Sequence, residues 1–324
     1  MLLHFFDKIT YRDAAFIGAL LGFVLNYLLL AHDNIMLKFF PQDQGREFAV
    51  NGEKSKGKIR GVGLIFVIQF VIVTLLFGKV TTEVCNYLLI LLMGMMTGYL
   101  DDAAKTPWNE YKKAIWDFIV AVLIAVTYIG FNGTTINIIS LGKTFEMNKI
   151  VMGILIVILV WVSINVTNCS DGVDGLCGSL AVYTIASIAI ITRILNVNKD
   201  FILLEVFFIA IIMSYLMFNV SPSKVLMGDA GSRAIGLFVS IAVLKTKAPL
   251  LYLLVAFVFI IDGGTGLVKV SLKRFLKISI LKNTRTPLHD NERKNRGWSD
   301  TQVVYRYSVL QIMLSLFAIY LCFR

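Results

Sequence analysis

Asn165-Val-Thr-Asn168-Cys-Ser-Asp171-Gly-Val-Asp174-Gly-Leu176 lies between two long apolar runs. It holds two amides and two carboxylates within ten positions, with a glycine after each acid. Polar groups at a membrane boundary are expensive, and they usually mark function. Asn, Asp and Gly also build ordinary inter-helix turns, but a turn needs only a few of them. The stretch therefore reads as a polar site between two membrane-spanning segments, and the rest of the chain is read outward from it.

The 324 residues are 57% apolar and 16% charged, against roughly 25% charged in soluble domains. Several runs approach the ~20 apolar residues that cross a bilayer, so the expected fold is an all-α polytopic membrane protein. The long runs lack the strand-period alternation of a β-barrel. The net charge of +10 is explained by the positive-inside bias and by attraction to anionic lipid. Its basic loops lack the interleaved aromatics of single-strand binders, and no nucleic-acid partner is expected. Cys85, Cys169, Cys177 and Cys322 form neither a metal spacing nor a disulfide framework. Lys8 and Arg12 precede an apolar run without a small-x-small cleavage site, which reads as a retained helix.

Ten spans can be drawn, at 13–31, 61–78, 84–100, 113–131, 149–165, 175–196, 201–218, 232–246, 249–271 and 301–321. An even count puts both termini on one side. Of the 31 Lys and Arg, 21 fall with the loops 32–60, 101–112, 166–174, 219–231 and 272–300. Those loops are therefore expected to be cytoplasmic and both termini extracytoplasmic. The loop from Asn132 to Asn148 alternates around Leu141-Gly142-Lys143, which predicts a small extracytoplasmic hairpin. Asp262-Gly-Gly-Thr-Gly266 interrupts the ninth span. Three glycines in four positions predict a broken helix, either a packing kink or the opening of a lateral groove for a lipid chain.

Four polar clusters share the expected cytoplasmic side. They are Asp101-Asp102-Ala-Ala-Lys105, the central run, Asn219 to Ser232 with Met227-Gly228-Asp229, and the loop from Arg285 through His289 to Trp298. Spans of similar length carry such ends to similar depth, so the clusters can converge. Asp101 and Asp102 are adjacent anions at a helix end that prefers cations, and they call for a positive partner. Oxygen-only ligands point to Mg²⁺ or Mn²⁺, and Asp229 can supply a further oxygen from another loop. The glycines around Asp229 and the helix start after it suit a phosphate. Lys105, Arg285 and His289 add positive charge for a phosphoanhydride substrate, although a lone loop histidine is usually just solvated. Lys56 and Lys113 complete the candidate substrate-binding cations, with solvation and lipid headgroups as the plainer reading of the basic run Lys54 to Arg60.

Asp-Asp-x-x-Lys, Asn-x-x-Asn-x-x-Asp-Gly-x-Asp-Gly-Leu and Met-Gly-Asp-x-Gly-Ser, in this order, resemble the polyprenyl-phosphate N-acetylhexosamine-1-phosphate transferase superfamily. Gly297-Trp-Ser-Asp-Thr-Gln-Val-Val before the last span resembles its phospho-N-acetylmuramoyl-pentapeptide transferase branch. The resemblance covers essentially the whole chain. It implies that residues 1–324 form one integral-membrane transferase domain in a bacterial plasma membrane, with its site on the cytoplasmic face. The implied reaction takes UDP-N-acetylmuramoyl-pentapeptide and undecaprenyl phosphate, with Mg²⁺, to lipid I and UMP in peptidoglycan synthesis. Asp101, Asp102 and Asp229 then match catalytic and metal positions, with His289 catalytic. Asn165, Asn168, Asp171, Asp174 and Asn219 match substrate positions. Membrane lipid is a partner, and self-association into a homodimer is left open. The chain departs from the branch where His289 is followed by Asp290 and Asn291, not two further histidines. It departs again at Lys54-Ser-Lys56-Gly-Lys58-Ile-Arg60, and at Leu226 before Met-Gly-Asp.

Two rivals stay open on sequence. One is a related N-acetylglucosamine-1-phosphate transferase. The other is a transporter using Asp117, Glu205 and Asp262, although transporters place such groups near the bilayer midplane.

Overall fold

Gly228–Lys245 is the axis of the molecule, and every residue of it is buried. The computed structural model describes residues 10–32, 40–45, 52–104, 106 and 108–323. In chain order the helices are α1 Tyr11–Leu30, α2 Gly63–Phe77, α3 Thr82–Asp102, α4 Glu110–Asn132, α5 Lys149–Cys169, α6 Leu176–Ile194, α7 Phe201–Asn219 and α8 Gly228–Lys245. They continue with α9 Tyr252–Val255, α10 Phe257–Ser271, α11 Leu288–Arg296 and α12 Asp300–Cys322. Four short strands, β1 Ile59–Arg60, β2 Thr135–Ile138, β3 Lys143–Glu146 and β4 Val225–Leu226, make two small sheets.

α8 packs against α2, α3, α5 and α6. Small residues let those backbones approach, as they do wherever helices meet without water to drive them together. A Cβ at Gly236 would lie 2.5 Å from the Ser163 carbonyl, and one at Gly63 would collide with the backbone of Gly231. An aromatic cluster fills the space between α2, α7 and α8, with Phe208 centred 4.7 Å from both Phe70 and Phe238. Capping boxes start α1 at Thr10 and α12 at Ser299. Large apolar side chains such as Phe16, Phe118 and Phe317 face outward, as a lipid-facing surface requires.

Seven helices among the described residues are long and apolar enough to cross a membrane, and an eighth counts if the bent pair Pro249–Val255 and Phe257–Leu276 is one span. The ten expected spans include two more helices, α2 and α8. α2 is short at 15 residues, and α8 carries Asp229, Arg233 and Lys245. The expected hairpin is present as β2 paired antiparallel with β3.

The ninth span is broken by 87°, but not where the glycines predict. α10 runs unbroken through Gly263 and Gly264, and the break falls at Ala256. Its cause is a side chain from α12. Gln311 accepts from the freed Val258 N–H at 3.0 Å and donates to the Leu254 and Val255 carbonyls. Thr184 also donates to Val255 O at 2.7 Å. A break inside a membrane persists only when such partners satisfy the released backbone. Gly263 serves close packing instead, since a Cβ there would lie 2.5 Å from Val166 O on α5. The lateral groove expected from a glycine break is therefore removed.

Candidate active site

The helix ends opposite the hairpin gather the polar clusters. α3 ends in Asp101 and Asp102, and α8 begins at Gly228. Asp102 Oδ2 accepts the Asp229 backbone N–H at 2.7 Å, one of the orphan donors of the first turn of α8. The junction needs glycine twice. Gly228 has φ +67, and a Cβ there would strike the Asp102 carboxylate. A Cβ at Gly98, one turn before Asp102, would strike the Asp229 carbonyl.

Two cations close over this junction. Arg60 Nη2 lies 2.7 Å from Asp102 Oδ1 and 3.6 Å from Asp229 Oδ1. Lys113, at the start of α4, pairs with Asp101 and lies 3.6 Å from Asp229 Oδ2. Asp101 also accepts the Trp108 N–H at 2.8 Å. Burial alone would lower the Arg60 pKa, but Asp102, Asp229 and Asp43 raise it above the ordinary arginine value. Its charge is therefore permanent. One turn along α8, Arg233 pairs with Asp117 on α4 and approaches Thr97 at 3.4 Å.

The central run wraps the same place. Asn168 donates to Ser232 Oγ at 2.9 Å, and Asn165 donates to Trp161 O at 2.8 Å and to Asp117 at 3.4 Å. Asp174 Oδ2 accepts from Lys58 Nζ at 3.0 Å and from the Ser223 N–H at 2.9 Å. Asn219 is buried, and both sides of its amide are taken by backbone, with Gly175 N–H donating at 2.9 Å and Val225 O accepting at 2.9 Å. It braces the loop. Asp171 is half-buried and contributes to the field on Arg60.

His289 is not a solvated loop histidine. It is buried, its backbone N–H donates to Asp262 Oδ1 at 2.8 Å, and Nδ1 donates to Asp262 Oδ2 at 2.8 Å. That partner fixes the proton on Nδ1 and turns Nε2 toward Gly172, where a Cβ would strike it. Asp290 and Asn291, standing where the branch has histidines, are structural. Asp290 holds Arg293 at 2.6 Å, and Arg293 in turn holds the Gly172 carbonyl at 3.1 Å. Asn291 accepts from Arg285 N at 3.2 Å.

The structure thus brings together Asp101, Asp102, Asp229, Lys113 and Asn168, and ties Asp174 and His289 to the same wall. Lys105 lies outside the described residues. Lys56 is exposed, and it is Lys58 that reaches Asp174. Within the basic run, Lys58 and Arg60 are the cations that enter the site. Their signal is the alternation Lys58-Ile59-Arg60, with Ile59 buried between two cations, which is a strand with both charges on one face. β1 pairs with β4, Arg60 opposite Leu226, which puts the guanidinium beside Asp229.

Among the described residues no group of three or more His, Cys, Asp or Glu is arranged to hold a metal ion. The donor chemistry nevertheless fits magnesium, which is commonly held by one or two carboxylates plus substrate phosphates and water. Asp229 is the best placed. Its oxygens meet the two cations only at 3.6 Å, while those of Asp102 are engaged at 2.7 Å.

The glycosyl transferase family 4 model matches residues 84–247, which contain the first three clusters. A phospho-N-acetylmuramoyl-pentapeptide-transferase of Treponema pallidum is 38% identical over 314 residues, covering 91% of this chain and 85% of the relative. The enzyme of that name from Bacillus subtilis (strain 168) is 28% identical over 93% of this chain and 96% of its own length. One from Wolbachia pipientis wMel is 26% identical over 79% and 82%. The chain belongs to glycosyl transferase family 4 and, within it, to the phospho-N-acetylmuramoyl-pentapeptide-transferase group.

Proposed function

We propose that this protein transfers phospho-N-acetylmuramoyl-pentapeptide from its UDP conjugate to undecaprenyl phosphate, giving lipid I and UMP for peptidoglycan synthesis. The reaction takes place at the cytoplasmic face of a bacterial plasma membrane. The observation that carries the reading is the junction of Asp102 with the start of α8, where Asp229 stands between Arg60 and Lys113. Carboxylates flanked by cations at a helix start suit phosphoryl transfer, which is mostly positioning and charge stabilisation. The names of the relatives point to the same reaction.

A lipid phosphate oxygen attacks the β-phosphorus of the UDP conjugate. The new P–O bond forms as the bond to the α-phosphate oxygen breaks, and UMP leaves with that electron pair. Asp229, with Asp102, would hold Mg²⁺, which when bound neutralises diphosphate charge. Asp101 and Asp102 orient the lipid phosphate, whose second pKa near 6 leaves little proton to remove. Lys113 binds phosphate oxygens, and His289, whose Nδ1–H is held by Asp262, does so through Nε2 when that nitrogen also carries a proton. Asp171 and the Lys58–Asp174 pair line the nucleotide end, with Asn165 and Asn168 holding the wall behind it.

The test is Mg²⁺-dependent UMP release from purified protein given undecaprenyl phosphate and each UDP-sugar separately. Release with UDP-N-acetylmuramoyl-pentapeptide is the expected result. Release only with UDP-N-acetylglucosamine would move the protein to the related hexosamine branch.

A further inference from the structure

Arg60 is held between three carboxylates, not two. Its Nη2 faces Asp102 at 2.7 Å and Asp229 at 3.6 Å, while Nη1 lies 3.3 Å from Asp43 Oδ2 on the outer side. Asp43 is buried and firmly built in. Its other oxygen accepts from Gly45 N at 2.8 Å and Ser55 Oγ at 2.9 Å, and its backbone bonds Lys58 O at 2.9 Å. The backbone of Arg60 is fixed by β1 and by its own bond to Pro41 O at 2.9 Å. Only the side chain is free to change partners, and it is 21% exposed.

Two adjacent carboxylates need a positive charge between them, and here the guanidinium supplies it. A divalent ion bound by Asp102 and Asp229 would meet a full positive charge at close range, which repels it. The two cations cannot share that position. Asp43, already 3.3 Å from Nη1, keeps its hold on the guanidinium when Nη2 leaves the other two acids, and a planar fork of donors suits phosphate oxygens.

Resting on the transferase reading, we propose that Arg60 is a place-holding cation that yields Asp102 and Asp229 to the metal and then binds the incoming diphosphate, steered by Asp43. It keeps the carboxylate pair neutralised while the site is empty, and couples metal entry to substrate entry.

The test opposes two readouts. Mn²⁺ binding is measured on purified protein without substrate, by the electron paramagnetic resonance signal of the free ion. Arg60→Met should bind Mn²⁺ roughly ten-fold more tightly than the wild type, because a competing charge has gone. Its KM for the UDP conjugate should rise roughly ten-fold, because a charge-assisted contact has gone. Arg60→Lys should bind Mn²⁺ like the wild type and recover part of the KM. Asp43→Asn should raise KM without tightening Mn²⁺, and it serves if Arg60→Met does not fold. Weaker or unchanged Mn²⁺ binding in a folded Arg60→Met, or an unchanged KM in both Arg60→Met and Asp43→Asn, would overturn the proposal. A wild type that binds Mn²⁺ but releases no UMP would instead count against the transferase reading.

Discussion

Asp262 accepts both hydrogens that His289 presents to it, one from the backbone and one from Nδ1, each at 2.8 Å. A carboxylate behind a histidine fixes its tautomer and aims the other nitrogen, and behind metal-binding histidines the loss of such a partner typically costs 10–100-fold, which sets the scale expected here. Asp262→Asn is therefore expected to lower kcat by about that factor while leaving the helix bundle folded, as read from its thermal unfolding in detergent. A wild-type kcat would show that His289 has no part in turnover. Asn219 makes the contrasting case. Its amide is fully engaged by Gly175 and Val225, so Asn219→Ala leaves two buried backbone groups without partners. Each such group costs about 1–3 kcal/mol, and the loss should appear as reduced stability before any change in KM. The sequence made Asp262 visible as a buried acid and His289 as a loop histidine. That the two meet depends on α10 and α11 being packed together, 27 residues apart, and no local pattern records that.

At the scale of elements, α3 and α8 are antiparallel and pinned at both ends. At the site end Asp102 receives the Asp229 N–H. At the hairpin end Lys245 reaches both oxygens of Glu83, at 2.8 and 3.0 Å, and Asn132 Oδ1 at 2.8 Å. Tyr87 and Asn132 donate to the same Glu83 oxygen. Breaking one partner of a fully buried pair costs about 3–5 kcal/mol, whereas replacing both by apolar residues is often neutral; here Lys245 is buried and Glu83 half-buried, so the cost falls below that range. Lys245→Met should therefore lower the unfolding midpoint, and Glu83→Leu with Lys245→Met should regain most of the loss. Equal losses in the single and double variants would show that the pair does not hold the helices. The helices themselves were legible, because ten apolar runs bounded by polar clusters leave little choice of element. The hairpin was legible from its alternation. The break in the ninth span was legible in kind but not in place. Its glycines are sequence-visible, whereas the cause, Gln311, enters from a helix more than fifty residues away.

For the whole molecule, the account requires the four polar clusters to share one membrane face and the β2–β3 hairpin to occupy the other. In a background lacking the four native cysteines, a thiol at exposed Lys143 in the hairpin should react with a membrane-impermeant reagent applied to intact cells. One at exposed Lys294 on α11 should react only after the membrane is opened. The reverse pattern would invert the topology, and labelling of both in intact cells would dismantle the shared site. The basic residues crowd the site end, and the expected orientation rests on that asymmetry. What they do there was less readable, because a run from Lys54 to Arg60 looks the same whether it meets lipid headgroups or enters a site. Only the pairing of β1 with β4 separates exposed Lys56 from Lys58 and Arg60.

The most direct measurement is the Mg²⁺ dependence of UMP release by the wild type and by Asp229→Asn, with undecaprenyl phosphate and UDP-N-acetylmuramoyl-pentapeptide. Wild-type release should vanish with chelation and return with Mg²⁺. Asp229→Asn, purified and folded, should lose about a hundred- to a thousand-fold in rate, the loss expected when a main charge-stabilising contact is removed. Wild-type turnover by Asp229→Asn, or release indifferent to chelator, would contradict a site built from these converging acidic turns.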